Sequence, residues 1–295
     1  MFFDWLKNLL QHHACLTQTL LFAATIVALW LAEVLISNET WKYKWRHSSV
    51  NLPFIFTALP IQLLMVLGQA GIATWVTEHQ WGLIYLIPGH SNPWIKYTLL
   101  FLMLDFGEYV FHRAMHGVGG FWRFHLVHHS DQKVDVSTTV REHPGETIVR
   151  NGFTMIWVFL SGAPFAALVL RQTAQSVSNI LQHTKVRFPS TIERWLGWIF
   201  ITPALHQTHH HYQLPYTDSN FGDVLSIWDR LFKSLRVLKA EDRVFGVDTH
   251  MHLQENVGFL DVVKLPFQRS RKPNDLSFGS ALDSVNHTAV SSTPG

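Results

Sequence analysis

Long apolar runs alternate along the chain with short polar segments rich in histidine. Leu16–Ile36 is a 21-residue run whose only charge is Glu33, and Leu52–Val76 is a 25-residue run with none. About 20 apolar residues in a helix cross a hydrocarbon core, so both runs predict membrane-spanning helices. Ile95–Phe111 predicts a third, with Lys96 near its start and Asp105 and Glu108 near its end. Gly152–Leu170 is uncharged, but Ser-Gly-Ala-Pro at 161–164 breaks it. That pattern predicts a helical hairpin turning near Pro164, shallow or re-entrant because neither arm is long. The first run is too long, and its basic flank too weak, for a cleavable signal peptide. From Arg269 to Gly295 the chain is polar and reads as a disordered tail.

Basic residues give these segments a direction. Lys42, Lys44 and Arg46 follow the first run, whereas 78–93 holds no Lys or Arg. The positive-inside rule therefore puts 38–51 in the cytoplasm and 78–93 outside. The third span returns to the cytoplasm and delivers His112 there, followed by Arg113, Arg123, Lys133 and Arg141. Lys185, Arg187 and Arg194 put the far end of the hairpin on the same face.

Composition agrees with a membrane protein. Hydrophobic residues make up 47% of the 295 and charged ones 15%, against roughly 25% charged in soluble domains. The expected fold is all-α and integral to the membrane: about three transmembrane helices plus the hairpin, under a cytosolic, histidine-rich helical cap. The net charge of +2, without a basic stripe interleaved with aromatics, excludes nucleic-acid binding. The single cysteine, Cys15, excludes an intramolecular disulfide and a cysteine zinc site.

Histidine changes the picture most. Of 19 histidines, 11 fall between His112 and His211. His112 and His116 are four apart and share a helix face. His125, His128 and His129 repeat the spacing, as do His206, His209 and His210. Imidazole suits zinc, copper, iron and nickel, and eight such rings exceed one ordinary site, so two metals are the natural count. Asp105 and Glu108 continue the His112 face seven and four residues earlier. Carboxylates in an apolar span need partners, and orienting ligand histidines is the expected use. Asp218, Asn220, Asp223 and Asp229 are further candidates for that role or for cap structure. Aromatic residues in 152–165 and 195–200 are candidate lining for an apolar tunnel.

HRAMH at 112–116, HLVHHSD at 125–131 and HQTHH at 206–210 resemble the three histidine boxes of the fatty acid hydroxylase/sterol desaturase superfamily. DFGEYVFHR, STTVREHPGE, ITPALHQTHH and SNFGDVLSIWDRLF resemble its flanking sequence, so the likeness covers about 95–235. It implies a membrane oxygenase with a non-haem diiron centre that uses O2 to attack a lipid C–H bond. Carried over, the metal ligands are His112, His116, His125, His128, His129, His206, His209 and His210. His183 aligns with a further family histidine, although Gln182 and Lys185 depart from the surrounding pattern. His143 matches a recurrent family position and is a possible additional ligand. His211 falls outside the pattern, and His47 reads as an ordinary solvated residue.

The implied organisation is 1–94 as N-terminal membrane helices, 95–240 as the catalytic domain, 241–268 as a C-terminal extension, and 269–295 as the tail. Without a nucleotide-binding glycine motif, a haem-attachment motif or cysteines for an iron–sulfur cluster, electrons are expected from NAD(P)H through a separate donor of cytochrome b5, ferredoxin or reductase type. The expected location is a bacterial inner membrane or the endoplasmic reticulum. Hydroxylation and desaturation begin with the same hydrogen abstraction, and sterol, fatty acyl, sphingoid, carotenoid and alkylglycerol substrates all fit the pattern. Two other classes compete. A membrane zinc hydrolase would activate water, but no H-E-x-x-H occurs. A non-enzymatic metal-binding protein would show polar residues along several spans, and Leu52–Val76 offers almost none.

Overall fold

The computed structural model describes residues 14–37, 39–252, 257–269 and 271. Among them the only β-structure is two isolated bridges, Phe200–Leu225 and His211–Phe245. Apart from Arg269 and Arg271, the expected disordered tail lies outside the described residues.

The helices that frame the molecule are α1 (Ala14–Ile36), α2 (Trp41–Asn51), α3 (Pro53–Glu78), α4 (Pro93–Gly117), α5 (Gly119–His129), α6 (Pro144–Ser161) and α7 (Phe165–His183). Shorter ones follow: α8 (Ser190–Leu196), α9 (Pro203–His209), α10 (Ile227–Leu231) and α11 (Phe259–Val263). Local sequence sets several starts. Asn92–Pro93, His143–Pro144 and Thr202–Pro203 each pair a capping side chain with proline in the first turn. The cap accepts a backbone N–H that the first turn leaves free, and proline needs no partner there.

One helical stretch, Trp41–Leu86, is long and apolar enough to cross a membrane, and α3 lies within it. Phe22–Ile36 in α1 is apolar but shorter. The expected break at 161–164 is a tight turn, with Gly162 at φ 77° closing α6. The two arms, α6 and α7, lie against α4 rather than on one another. Their tip is pinned to the loop after α3. A Cβ on Gly82 would sit 2.3 Å from the Gly162 nitrogen, and one on Gly162 would sit 2.3 Å from the Trp81 carbonyl oxygen. Only two glycines allow so close an approach.

Two apolar cores separate the ends. Ala73, Ile84, Leu100, Val158 and Leu168 pack at the turn end. Val50, Phe54, Val127, Val247 and Leu265 pack under the histidine-bearing helices. Both arms of the hairpin return to that second end, where α7 finishes on His183.

Candidate metal centre

Four helices bring nine histidines together: α4 supplies two, α5 three, α7 its last residue, and α9 with its C-cap three. They divide into two groups. His112, His116, His125, His129 and His209 form one, and His128, His183, His206 and His210 the other. Within each group the ring nitrogens lie within 4.8 Å of one another. Every i,i+4 pair stays together, whereas the adjacent pairs His128/His129 and His209/His210 split. Neighbours on a helix differ by about 100° in direction, so an adjacent pair serves two sites at once.

Acceptors on the outer nitrogens fix the rings. The Nδ1 atoms of His112, His128, His183 and His209 donate to the carbonyls of Phe221 (3.0 Å), Arg141 (3.3 Å), Asn179 (2.7 Å) and Ser219 (2.6 Å). Carboxylates serve two others, Asp218 for His116 (3.1 Å) and Glu146 for His125 (2.9 Å). A carbonyl only accepts, so Nδ1 carries the hydrogen and Nε2 keeps a lone pair. Yet His183 Nε2 lies 3.1 Å from His128 Nε2 and 3.0 Å from His206 Nε2. His128 and His183 therefore face each other lone pair to lone pair. Nε2 of His116 and of His209 is buried without a partner, as are both ring nitrogens of His129. Converging lone pairs in a buried pocket repel unless a cation lies between them, so the donor set fits metal ions. Burial holds all nine rings below the ordinary imidazole range, in the neutral form that binds metal.

His183 thus joins the second group despite the changed residues around it. His143 does not join either. Its Nδ1 accepts the Gly145 N–H (2.9 Å) as the N-cap of α6, and its ring stacks on Phe124. His211 also stays outside, accepting the Val244 N–H (3.1 Å).

Asp105 and Glu108 are buried, but neither hydrogen-bonds a histidine. Asp105 accepts from the Trp228 indole (2.8 Å) and from the Val224 and Leu225 N–H groups (3.3 Å each). Glu108 pairs with Arg150 and Arg171. For Asp105 the reason is axial. At 1.5 Å per residue, Asp105 sits roughly 10 Å along α4 from His112, beyond a carboxylate's reach. The sequence reading missed Glu146, which lies in the first turn of α6 and touches the ring of His125. Burial and neighbouring Glu142 push it up from the usual carboxylate range, against the pull of Arg150.

His47 is another correction. It bridges Asp131 (2.8 Å) and Asp135 (3.0 Å) in a buried cluster with Lys44, Glu33 and Asn51. Burial would lower it, but the two aspartates override that and push it up to about 10.

Residues 97–234 match the family model described as fatty acid hydroxylase, and all nine histidines lie inside that stretch. The chain is 27% identical to an ornithine lipid hydroxylase of Rhizobium tropici, over 86% of this chain and 79% of that protein. It is 33% identical to the alkylglycerol monooxygenase of Homo sapiens, over 54% of this chain and 34% of that protein. With a methylsterol monooxygenase of Arabidopsis thaliana it shares 24% identity over 66% of this chain and 68% of that protein. The chain thus spans about a third of the length of the alkylglycerol enzyme. No solved structure matches.

Proposed function

Because the chain belongs to the fatty acid hydroxylase/sterol desaturase superfamily, we propose that it is an integral membrane hydroxylase acting on a lipid C–H bond with O2 and external electrons. The reaction replaces C–H by C–OH and releases the second oxygen atom as water, consuming two electrons and two protons. The observation that carries this reading is the division of nine buried histidines into two adjoining groups of facing nitrogens. His112, His116, His125, His129 and His209 would hold one iron, and His128, His183, His206 and His210 the other. Bound iron supplies the O2 activation that acid–base residues cannot provide for an unactivated C–H bond. The five-ring group exceeds the four ligands of a tetrahedral zinc site, which favours iron.

The protein's own part is to present neutral imidazoles, six of the nine turned by an acceptor behind the ring, and to bury them from water. Membrane residence is supported by Phe56, Leu63, Leu64 and Leu67, which stand exposed along α3, and by the span within Trp41–Leu86. In this reading α1, α3 and α4 cross the bilayer, the histidine end faces the cytoplasm, and a separate redox protein delivers electrons from NAD(P)H.

Purified protein should carry two iron ions per chain and consume O2 in a lipid- and NAD(P)H-dependent way once a reductase is added. Tightly bound zinc with no such consumption would overturn the reading.

A further inference from the structure

A cavity opens beside both histidine groups, touching His112, His125, His128, His183 and His206. Its remaining walls are polar: Glu108, Glu142, Glu146, Arg150, Gln182 and Asp223 contribute, with Thr139, Asn179 and Gly222. No aliphatic or aromatic hydrocarbon side chain lines it. An acyl chain placed there would leave the acceptors that lack a protein donor, Glu146 Oε2 and Gln182 Oε1, without one, at a cost of roughly 1–3 kcal/mol each.

The walls are also short of positive charge. Arg150 pairs with Glu108, Glu142 and Glu146, and Arg171 with Asp105, Glu108 and Asp223. Five carboxylates thus share two guanidiniums. Two acceptors in the lining have no donor at all. Glu146 Oε2 and Gln182 Oε1 are buried without a hydrogen-bond partner, on residues 1% and 0% exposed. The Gln182 amide is not free to turn, because its Nε2 already donates to the Asp223 carbonyl and to Ser178 Oγ. Of the carboxylates in the wall, only Glu146 hydrogen-bonds a histidine, so the excess is not explained by orienting metal ligands. On the far side of Glu108 a second cleft changes character, with Leu104, Trp157 and Leu168 in its walls.

We propose that the polar cavity receives the head of the lipid substrate, a cationic group rich in N–H donors such as an ammonium, while the hydrocarbon part stays on the Leu104/Trp157/Leu168 side. The carbon presented to the histidines then belongs to the polar end of the lipid and not to its acyl chain. This rests on the hydroxylase reading and adds the substrate class.

The test uses the full-length iron-loaded protein in nanodiscs, with decylammonium, decanoate and decanol as probes of equal chain length. Binding is read as thermal stabilisation. Decylammonium should bind at least about tenfold more tightly than either other probe, the size expected for hydrogen bonds to charged groups. Glu142→Gln and Gln182→Leu should each erase most of that preference. Equal binding of decanoate, or a preference that survives both variants, overturns the proposal. So does a loss of iron affinity in the variants with the preference unchanged, which would make the carboxylates counter-charge for the metals. Mass-spectrometric mapping of product separates the two levels. Oxygen on the acyl chain sinks the head-group assignment and leaves the hydroxylase intact, whereas iron-loaded protein that oxidises no lipid sinks the hydroxylase itself.

Discussion

Two buried ionic networks flank the histidines, and they are built to opposite rules. On the side of α1 and α2, Glu33, Asp131 and Asp135 face Lys44, His47 and Arg141, three charges against three. None of these six side chains has a buried polar atom without a partner. Arg141 ties this network to the histidine groups, donating to Val127 O (2.7 Å), Ser130 Oγ (2.7 Å) and Asn51 Oδ1 (3.0 Å) while its carbonyl orients His128. On the side of α6 and α7, five carboxylates share Arg150 and Arg171, acceptors are left over at a cavity, and the Nε atoms of both arginines lack a hydrogen-bond partner. A closed network fixes geometry, because every group in it costs energy to move. An open one is completed by something else. The closed network draws Glu33, Lys44, His47 and Asn51 from outside the matched stretch 97–234, so the N-terminal helices take part in positioning the centre.

The sharpest way to break this contrast is to neutralise one carboxylate of the closed network. Asp135 accepts from Lys44 Nζ (2.8 Å) and His47 Nδ1 (3.0 Å) and caps the turn at 136–140 through Ser137. Asp135→Asn leaves Lys44 with Glu33 alone and His47 with Asp131 alone in a buried cluster, and breaking a buried ion pair costs up to about 3–5 kcal/mol. Chemical unfolding in detergent should show that loss, with iron binding weakened alongside. A change below about 1 kcal/mol would mean the cluster does not hold the fold together.

Glu146→Gln comes next in size, because Glu146 belongs to the open network and also hydrogen-bonds His125 of the proposed centre. The amide oxygen still accepts from His125 Nδ1 but no longer raises the ring's basicity. Iron affinity, measured by competition with a chelator, should fall about 10- to 100-fold while the unfolding transition stays close to the wild type. Unchanged affinity would remove Glu146 from the centre and leave it a cavity wall only.

Which of these features the sequence disclosed follows from their range. Ring spacing is local, and the i,i+4 pairs in 112–129 and 206–210 already told which rings share a face. The count of eight such rings already pointed to two sites. The acceptors behind the rings were hidden. The carbonyls of Phe221, Ser219 and Asn179 carry no side-chain identity, so no residue pattern marks them. Asp105 and Glu108 were legible as buried carboxylates but not as partners of Trp228 and Arg150, which lie 123 and 42 residues away along the chain. His47 looked solvated because its partners lie 84 and 88 residues away. Its role is a property of tertiary packing.

That tertiary role of His47 carries a pH signature of its own. His47 is raised in the folded protein to about 10, above the 6.5 or so of a free imidazole. A raised group stabilises fully below its unfolded value and loses that contribution as pH climbs through its folded value. The wild type should therefore lose stability between about pH 6.5 and 10, by at most about 1.4 kcal/mol per pH unit. His47→Gln should start lower at pH 6.5 and show a flatter profile across the same window. Parallel profiles for the two proteins would show that His47 is not charged in the cluster.

The smallest effect is expected from the counterpart of the first substitution. Glu142→Gln, like Asp135→Asn, converts a carboxylate to an amide beside a buried cation. Here Arg150 keeps two carboxylates, Glu108 and Glu146 (2.9 Å), after losing Glu142 (3.1 Å), where Lys44 and His47 keep one each. The Glu142 side chain is 21% exposed and that of Arg150 24%, so water screens the pair. The amide oxygen can still accept from Thr147 Oγ1. A surplus carboxylate removed from a site with too many should cost less than about 1 kcal/mol, and relief of repulsion with Glu146 works in the opposite direction. Thermal unfolding of both amide variants side by side decides the matter. If Glu142→Gln destabilises the protein as much as Asp135→Asn, the two networks are equally closed, and the distinction between a clamp and a receiving site collapses.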